Sequence, residues 1–229
     1  MKKIRKTNSI FSITPFTLLD YPDKLACIVW FAGCNMRCIY CYNPDIVLGK
    51  GRLSAPDVIT FLHSRRLLLD GVVLSGGECT MHKDIIPLVA EIKRMGFSVK
   101  LDTNGSMPGV LKKLLDAQLI DAIALDFKAL PGNYEMVTGA DLFRPFAESL
   151  SLLIQSDIPF EVRTTLHSDL ISVDYFQQMM SYLQSKHYKG DYFIQQFRNN
   201  VPVLGQLNYS LPEFDASRFS TSEIRVLVR

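Results

Sequence analysis

The sequence predicts an α/β fold built around a parallel sheet. Short apolar, β-rich runs alternate with runs of helical periodicity along almost the whole chain, the pattern left by strand–helix–strand crossovers. The first strand run, residues 25–31 (LACIVWF), is apolar at successive positions, as a strand buried on both faces must be. The chain has 229 residues, 48% hydrophobic and 21% charged, enough to bury one sizeable core.

Each element follows in order. After residues 25–31 a helix begins near Ser54, with Asp57 as its capping partner and Val58, Ile59 and Leu62 inward. Residues 71–74 form the second strand, followed by a helix striped with Ile85, Leu88, Val89 and Ile92. Residues 97–101 are the third strand, and Val110, Leu111, Leu114 and Leu115 mark the third helix. Residues 122–127 are the fourth strand, and Phe146, Leu150, Leu153 and Ile154 stripe the fourth helix. Residues 160–166 are the fifth strand, and Val173, Phe176, Met180 and Leu183 mark the fifth helix. Residues 192–197 are the sixth strand. Residues 131–133 (PGN) read as a loop, and 201–229 as an extended tail behind a core of about 20–200. No repeat, low-complexity tract or linker divides the chain, so residues 1–229 are expected to be a single domain. Crossovers between parallel strands are right-handed. Six strands suit an open doubly wound sheet or an incomplete barrel, and periodicity does not choose between them.

A net charge of +2 argues neither for nor against a nucleic-acid or membrane partner. Lys2, Lys3, Arg5 and Lys6 make a basic start with no small-residue cleavage site after it, which reads as a solvated terminus. No apolar run approaches the ~20 residues of a membrane span. A soluble, cytoplasmic protein is expected, with no membrane partner and no nucleic-acid partner evident.

Three of the five cysteines, Cys34, Cys38 and Cys41, fall within eight residues, while Cys27 and Cys79 stand apart. A disulfide framework would spread its pairs along a smaller secreted chain, so the group reads as a metal site in a reducing compartment. Cys-x3-Cys-x2-Cys supplies three soft thiolates from one loop. A [4Fe-4S] cube normally takes four cysteines, so three leave one iron open to a small molecule. A structural zinc site would want a fourth Cys or His at matching spacing, and neither His63 nor His82 makes such a pairing. Cys27, inside the first strand, reads as core.

Polar residues collect where the strands end. The cysteine run follows strand one; Ser75-Gly76-Gly77-Glu78 follows strand two; Asp102-Thr103-Asn104 closes strand three; Asp126 and Lys128 close strand four. Arg163 and Thr165 lie in strand five, and Gln195, Gln196 and Arg198 at strand six. In parallel α/β folds these ends converge on the face where active sites are built.

The run Ala32-Gly33-Cys34-Asn35-Met36-Arg37-Cys38-Ile39-Tyr40-Cys41 resembles the radical S-adenosylmethionine signature. Within that superfamily the chain is similar to the glycyl-radical-enzyme activases, above all to activating proteins of the anaerobic ribonucleoside-triphosphate reductase. The opening Ile13-Thr14-Pro15-Phe16-Thr17-Leu18-Leu19-Asp20-Tyr21-Pro22 carries part of that likeness. So do Ser75-Gly76-Gly77-Glu78, Leu101-Asp102-Thr103-Asn104-Gly105, Asp126-Phe127-Lys128 and Gln196-Phe197-Arg198. The resemblance covers roughly residues 10–200.

This resemblance implies an incomplete (β/α)6 TIM-like barrel of parallel strands. It implies a [4Fe-4S] cluster on the catalytic cysteines Cys34, Cys38 and Cys41, and S-adenosyl-L-methionine on the open iron. Reductive cleavage would release a 5′-deoxyadenosyl radical that abstracts a glycine hydrogen on a glycyl radical enzyme, a partner like the anaerobic ribonucleotide reductase. A flavodoxin- or ferredoxin-type protein would donate the electron. Gly76, Gly77 and Glu78 would meet the methionine ammonium, and Tyr40 would lie near the adenine. Asp102 and Asp126 would sit by the methionine end and help hold a monovalent cation, while Lys128 and Arg163 would balance the ligand's carboxylate and polar edges.

Plainer readings stand beside these. Gly76-Gly77 also suits a tight turn, Asp102 a turn cap, and Tyr40 packing. Asp126 and Lys128 share one strand face and suit an ion pair, and Arg163 suits a partner for Glu161 or Asp126. Two positions depart from the family pattern: Cys79 stands where many relatives have proline, and Tyr42 where the activases usually have histidine. Two other functions compete with the activase: a radical enzyme acting on a small molecule, of tailoring or deazaguanine-forming type, and a non-catalytic iron–sulfur or zinc module.

Overall fold

The structure, a computed structural model, describes residues 7–211 and 214–229. The basic start at Lys2, Lys3, Arg5 and Lys6 lies outside the described residues. The chain divides into two compact units. The first takes the described residues up to Asn35, then Asn43–Thr103 and Met107–Ile123. The second takes Met36–Tyr42, Asn104–Ser106 and the described residues from Ala124 onward.

The first unit contains β1 (Asn8–Thr17), β2 (Ala26–Phe31), α1 (Pro44–Leu48), β3 (Leu53–Ser54), α2 (Ala55–His63), β4 (Gly71–Gly76), α3 (Ile85–Arg94), β5 (Ser98–Thr103) and α4 (Pro108–Asp116). Its strands run in the order β3-β1-β2-β4-β5. β2, β4 and β5 are parallel, in a register that sets Ala26 beside Gly71 and Leu74 beside Leu101. Cys27, Val29, Val72, Val73 and Leu74 are fully buried, which explains why these strands read as unbroken apolar runs. Ser54 and Asp57 form the expected capping box on α2: Ser54 N donates to Asp57 Oδ2 at 2.8 Å.

β1 was not expected. It pairs antiparallel with β2 and β3, and its register slips between Thr14 and Thr17, around Pro15. The slip admits a residue that has no N–H to give the ladder.

β6 (Ala122–Asp126) starts in the first unit and ends in the second. The second unit continues with α5 (Pro131–Thr138), α6 (Phe143–Ile154), β7 (Phe160–Leu166), α7 (Val173–Ser185), β8 (Gly190–Gln196) and β9 (Ile224–Val228). β7, β8 and β9 are parallel neighbours. The six expected strands are all present, and β9 adds a further one within the stretch expected to be irregular. Residues 131–133 do not form a loop but open α5, because Pro131 occupies the first turn, where its missing N–H costs nothing. The core here is aromatic: Phe127 stacks on Phe146 at 5.1 Å, and Phe176 on Tyr192 at 5.7 Å. The fold class is therefore the expected α/β one, with mainly parallel strands in an open arrangement.

Candidate functional site

In the first unit the residues of interest gather where β2, β4 and β5 end. Gly76 has φ +118°, a conformation that side chains with a Cβ rarely adopt, and an added Cβ would fall 2.4 Å from Phe31 N. At Gly77 an added Cβ would meet Gly33 O at 1.8 Å and Cys34 N at 3.2 Å. Glu78 N donates to Gly33 O at 2.9 Å. The Gly-Gly-Glu turn is thus packed directly against the backbone that leads into Cys34.

Glu78 is 1% exposed and has a structural task. Its Oε1 accepts from Thr80 N at 3.1 Å, from Thr80 Oγ1 and from Thr103 Oγ1 at 2.9 Å, capping a 3-10 turn and tying it to β5. Asp102 Oδ2 accepts from Ser75 Oγ at 3.2 Å. Lys100, 4% exposed, lies 3.7 Å from Asp102 Oδ1 and donates to Asp20 O at 2.7 Å. Sequence reading overlooked Lys100; the signal was a charged residue inside the apolar run of the third strand. Cys79 is fully buried, its thiol directed at Leu74 O and Asp102 O, and burial pushes its pKa well up. Cys27 is likewise buried and pushed up to about 12.

The second unit brings Cys38, Tyr40, Asp126, Lys128 and Arg163 together. Lys128 Nζ donates to Asp126 Oδ2 at 3.0 Å, and Arg163 Nε donates to Asp126 Oδ1 at 2.9 Å. Burial opposes ionisation of Asp126, but the flanking Arg163 and Lys128 outweigh it and hold the carboxyl below its ordinary range. The same Lys128 lies 5.9 Å from the centre of the Tyr40 ring. Burial raises the Cys38 thiol, and the nearby Lys128 works in the opposite direction.

Tyr42 fills its own place. Its hydroxyl accepts from Arg198 N at 2.6 Å and its ring stacks on Phe197 at 5.5 Å. The chain beyond β8 also binds the cysteine loop directly, through Leu204 N to Cys41 O at 3.0 Å and Gly205 N to Ile39 O at 2.8 Å.

Two features fit an iron–sulfur cluster with a bound cofactor. None of the five cysteines is in a disulfide, so the loop offers three soft donors. The Tyr40 hydroxyl is buried with no hydrogen-bond partner, a polar atom that a ligand would satisfy. Among the described residues no three His, Cys, Asp or Glu side chains gather tightly enough for a single metal ion. A four-iron cube holds its thiolates farther apart than one ion does. Among the described residues no helix is long and apolar enough to cross a membrane.

The chain is similar to several known proteins. The radical SAM superfamily pattern matches residues 28–174. A Methanocaldococcus jannaschii protein provisionally named a glycyl-radical enzyme activating enzyme is 33% identical over 68% of this chain and 67% of its own. The pyruvate formate-lyase-activating enzyme of Clostridium pasteurianum is 31% identical over 57% of each chain. A Methanothermobacter thermautotrophicus protein provisionally named GTP 3′,8-cyclase is 32% identical over 47% of this chain and 36% of its own. Among solved structures, Streptococcus suis SuiB bound to S-adenosylmethionine shares the fold, with a TM-score of 0.65 and 13% identity over 88% of this chain and 51% of that one. The chain thus spans about two thirds or less of the length of these proteins. With glycyl-radical-enzyme activating enzymes among its relatives, the chain belongs to the radical SAM superfamily.

Proposed function

We propose that this protein activates a glycyl radical enzyme, with a partner like the anaerobic ribonucleotide reductase. The observation that carries the reading is the Cys34-x3-Cys38-x2-Cys41 loop, in a chain 33% identical, over 68% of its length, to a protein provisionally named an activating enzyme. When bound, the [4Fe-4S] cluster and S-adenosyl-L-methionine supply a 5′-deoxyadenosyl radical able to take a hydrogen from glycine.

The protein's own groups bind and orient. Cys34, Cys38 and Cys41 hold the cluster. Gly76 and Gly77, whose bare Cα sides pack on Phe31 and Gly33, shape the turn offered to the methionine end of the cofactor, and the buried Tyr40 hydroxyl is available to its adenosine end. Asp126 is kept ionised between Lys128 and Arg163, and the group's remaining positive charge is available to balance the cofactor's carboxylate. Glu78 acts mainly by fixing the Gly-Gly turn, so its contact with the ligand is made from a rigid support. A flavodoxin- or ferredoxin-type protein supplies the electron, and a reducing cytoplasm is the natural setting for three free thiols in one loop. All of this lies within one radical SAM domain.

The relative named GTP 3′,8-cyclase favours a second reading, a radical enzyme acting on a small molecule. One experiment separates the two. Reduced protein, S-adenosylmethionine and the host's anaerobic reductase are mixed, and the electron paramagnetic resonance spectrum is recorded. The activase reading expects a glycyl doublet that vanishes when the partner's radical glycine is replaced by alanine. No doublet with the reductase, together with partner-free turnover of a small molecule, would establish the second reading.

A further inference from the structure

The part of the cysteine loop that lies in the second unit is bonded to two separate stretches of backbone. One is the end of α5: Arg37 N donates to Thr138 O at 2.6 Å, and Ile39 N to Val137 O at 3.0 Å. The last carbonyls of a helix have no partner within it, so N–H groups supplied by the loop satisfy both segments. The other is the chain that returns after β8, where Gly205 N donates to Ile39 O at 2.8 Å and Leu204 N to Cys41 O at 3.0 Å. Within the loop, Cys41 N donates to Cys38 O at 3.0 Å. Ile39, which lies between Cys38 and Cys41, is therefore fixed through both its N–H and its C=O.

Gly205 makes the second attachment possible. Its φ lies outside the left-handed region, so its backbone conformation does not call for glycine. Space does. A Cβ at this position would fall 2.8 Å from Ile39 Cβ, 2.8 Å from Ile39 O and 2.9 Å from Ile39 Cα. Two of these are backbone atoms of the loop, which no change of rotamer moves aside. A side chain at 205 must push the returning chain off Ile39, and the bonds to Ile39 O and Cys41 O go with it. Contacts before and after keep such a separation local. The Tyr42 hydroxyl accepts from Arg198 N at 2.6 Å, and Asn208 Nδ2 donates to Asp169 Oδ2 at 3.0 Å.

We infer that Gly205 is a positioning residue for the metal centre: its bare Cα lets the returning chain clamp Ile39 and Cys41, which sets Cys38 and Cys41 in place before iron enters. The inference rests on the cluster reading of this loop and adds what holds the loop in shape. Donors that are already ordered bind without a further ordering cost.

Thiol labelling reads the clamp with no cluster present. Cys38 is 8% exposed while the clamp is closed. In metal-free Gly205→Val, iodoacetamide should modify Cys38 about tenfold faster than in the wild type, as expected when two backbone hydrogen bonds are lost. Leu204→Pro removes the N–H bonded to Cys41 O, adds no Cβ at 205, and should act in the same direction. Cys27 and Cys79, fully buried in the first unit, report unfolding and should stay as slow as in the wild type. Tyr209→Ala, at a 71% exposed side chain further along the returning chain, should leave every rate unchanged. After anaerobic reconstitution, both clamp variants should lose iron to a chelator about tenfold faster than the wild type. Their reduced clusters should also give altered electron paramagnetic resonance spectra. Wild-type labelling of Cys38 in both variants, or exposure of all five cysteines together, overturns the clamp. Iron loss and spectra identical to the wild type overturn it as well. A wild-type protein that takes up no iron overturns the cluster reading alone, and faster Cys38 labelling would then still uphold the clamp on the loop.

Discussion

Lys128 donates a hydrogen bond of 3.0 Å to Asp126, and the pair is only 16% and 26% exposed. Arg163, 13% exposed, completes the group from the other carboxylate oxygen. Two cations around one carboxylate leave a net positive charge in a poorly hydrated place. Removing the carboxylate alone should therefore cost stability as well as ligand binding. Asp126→Asn is expected to lower unfolding free energy by about 1–3 kcal/mol, between the values for exposed and buried ion pairs. Urea denaturation measures the loss. Because the folded pKa of Asp126 is depressed, its contribution is present above the ordinary carboxyl range and is lost as pH falls through the folded value.

The glycines of the Gly-Gly-Glu turn are expected to be intolerant for steric reasons. Gly77→Ala would drive a Cβ into the Gly33 carbonyl, so a loss of more than about 3 kcal/mol or failure to fold is expected. Gly132, in the first turn of α5, has nothing within 4 Å of an added Cβ. Gly132→Ala should raise stability by about 0.5–1 kcal/mol. Thermal melts of the two variants would move in opposite directions.

His82 offers a pH test within the first unit. Its Nε2 is 3.0 Å from Ala32 O, and its ring packs on Phe31 at 5.1 Å. Burial lowers its pKa below the model-peptide value, with the Ala32 carbonyl and Asp84 partly offsetting that. The sign follows: the stability contribution is full above about 6.5 and declines as pH falls, because the unfolded chain takes up a proton that the folded site resists. Proton NMR should place the His82 midpoint below 6.5.

Thiol chemistry should sort the five cysteines. In metal-free protein near pH 8, iodoacetamide should modify Cys34 and Cys41, which are half-buried, well before Cys27 and Cys79. Burial holds the latter two as neutral thiols. Mass spectrometry after timed quenching reads the order; rapid labelling of Cys79 would contradict its place in the core.

Much of this was legible in the sequence, for identifiable reasons. The parallel strands are buried on both faces, so their apolar runs stood out, and the Ser54–Asp57 cap marked its helix directly. β1 was obscured by Pro15 and by the polar Ser12, Thr14 and Thr17, which an antiparallel edge tolerates. β9 is a short strand behind a long polar stretch, and α5 was hidden because proline and glycine read as breakers away from a helix start. At the site, spacing alone exposed the cysteines. The structural load on Glu78 was not visible, because Thr103 is its partner across 25 residues. The ion pair at Asp126 was foreseen as one of two readings, whereas burial of Lys100 against Asp20 is a long-range contact that no local pattern encodes.

The central claim is that Cys34, Cys38 and Cys41 hold a cluster that cleaves S-adenosylmethionine, and its most direct test joins iron content to product formation. Protein reconstituted anaerobically should carry about four irons per chain and release 5′-deoxyadenosine when reduced. Alanine at any one of the three cysteines should abolish that product, while Cys27→Ala and Cys79→Ala should keep both iron and activity. Stoichiometric zinc in place of iron, or undiminished 5′-deoxyadenosine from Cys38→Ala, would contradict the account.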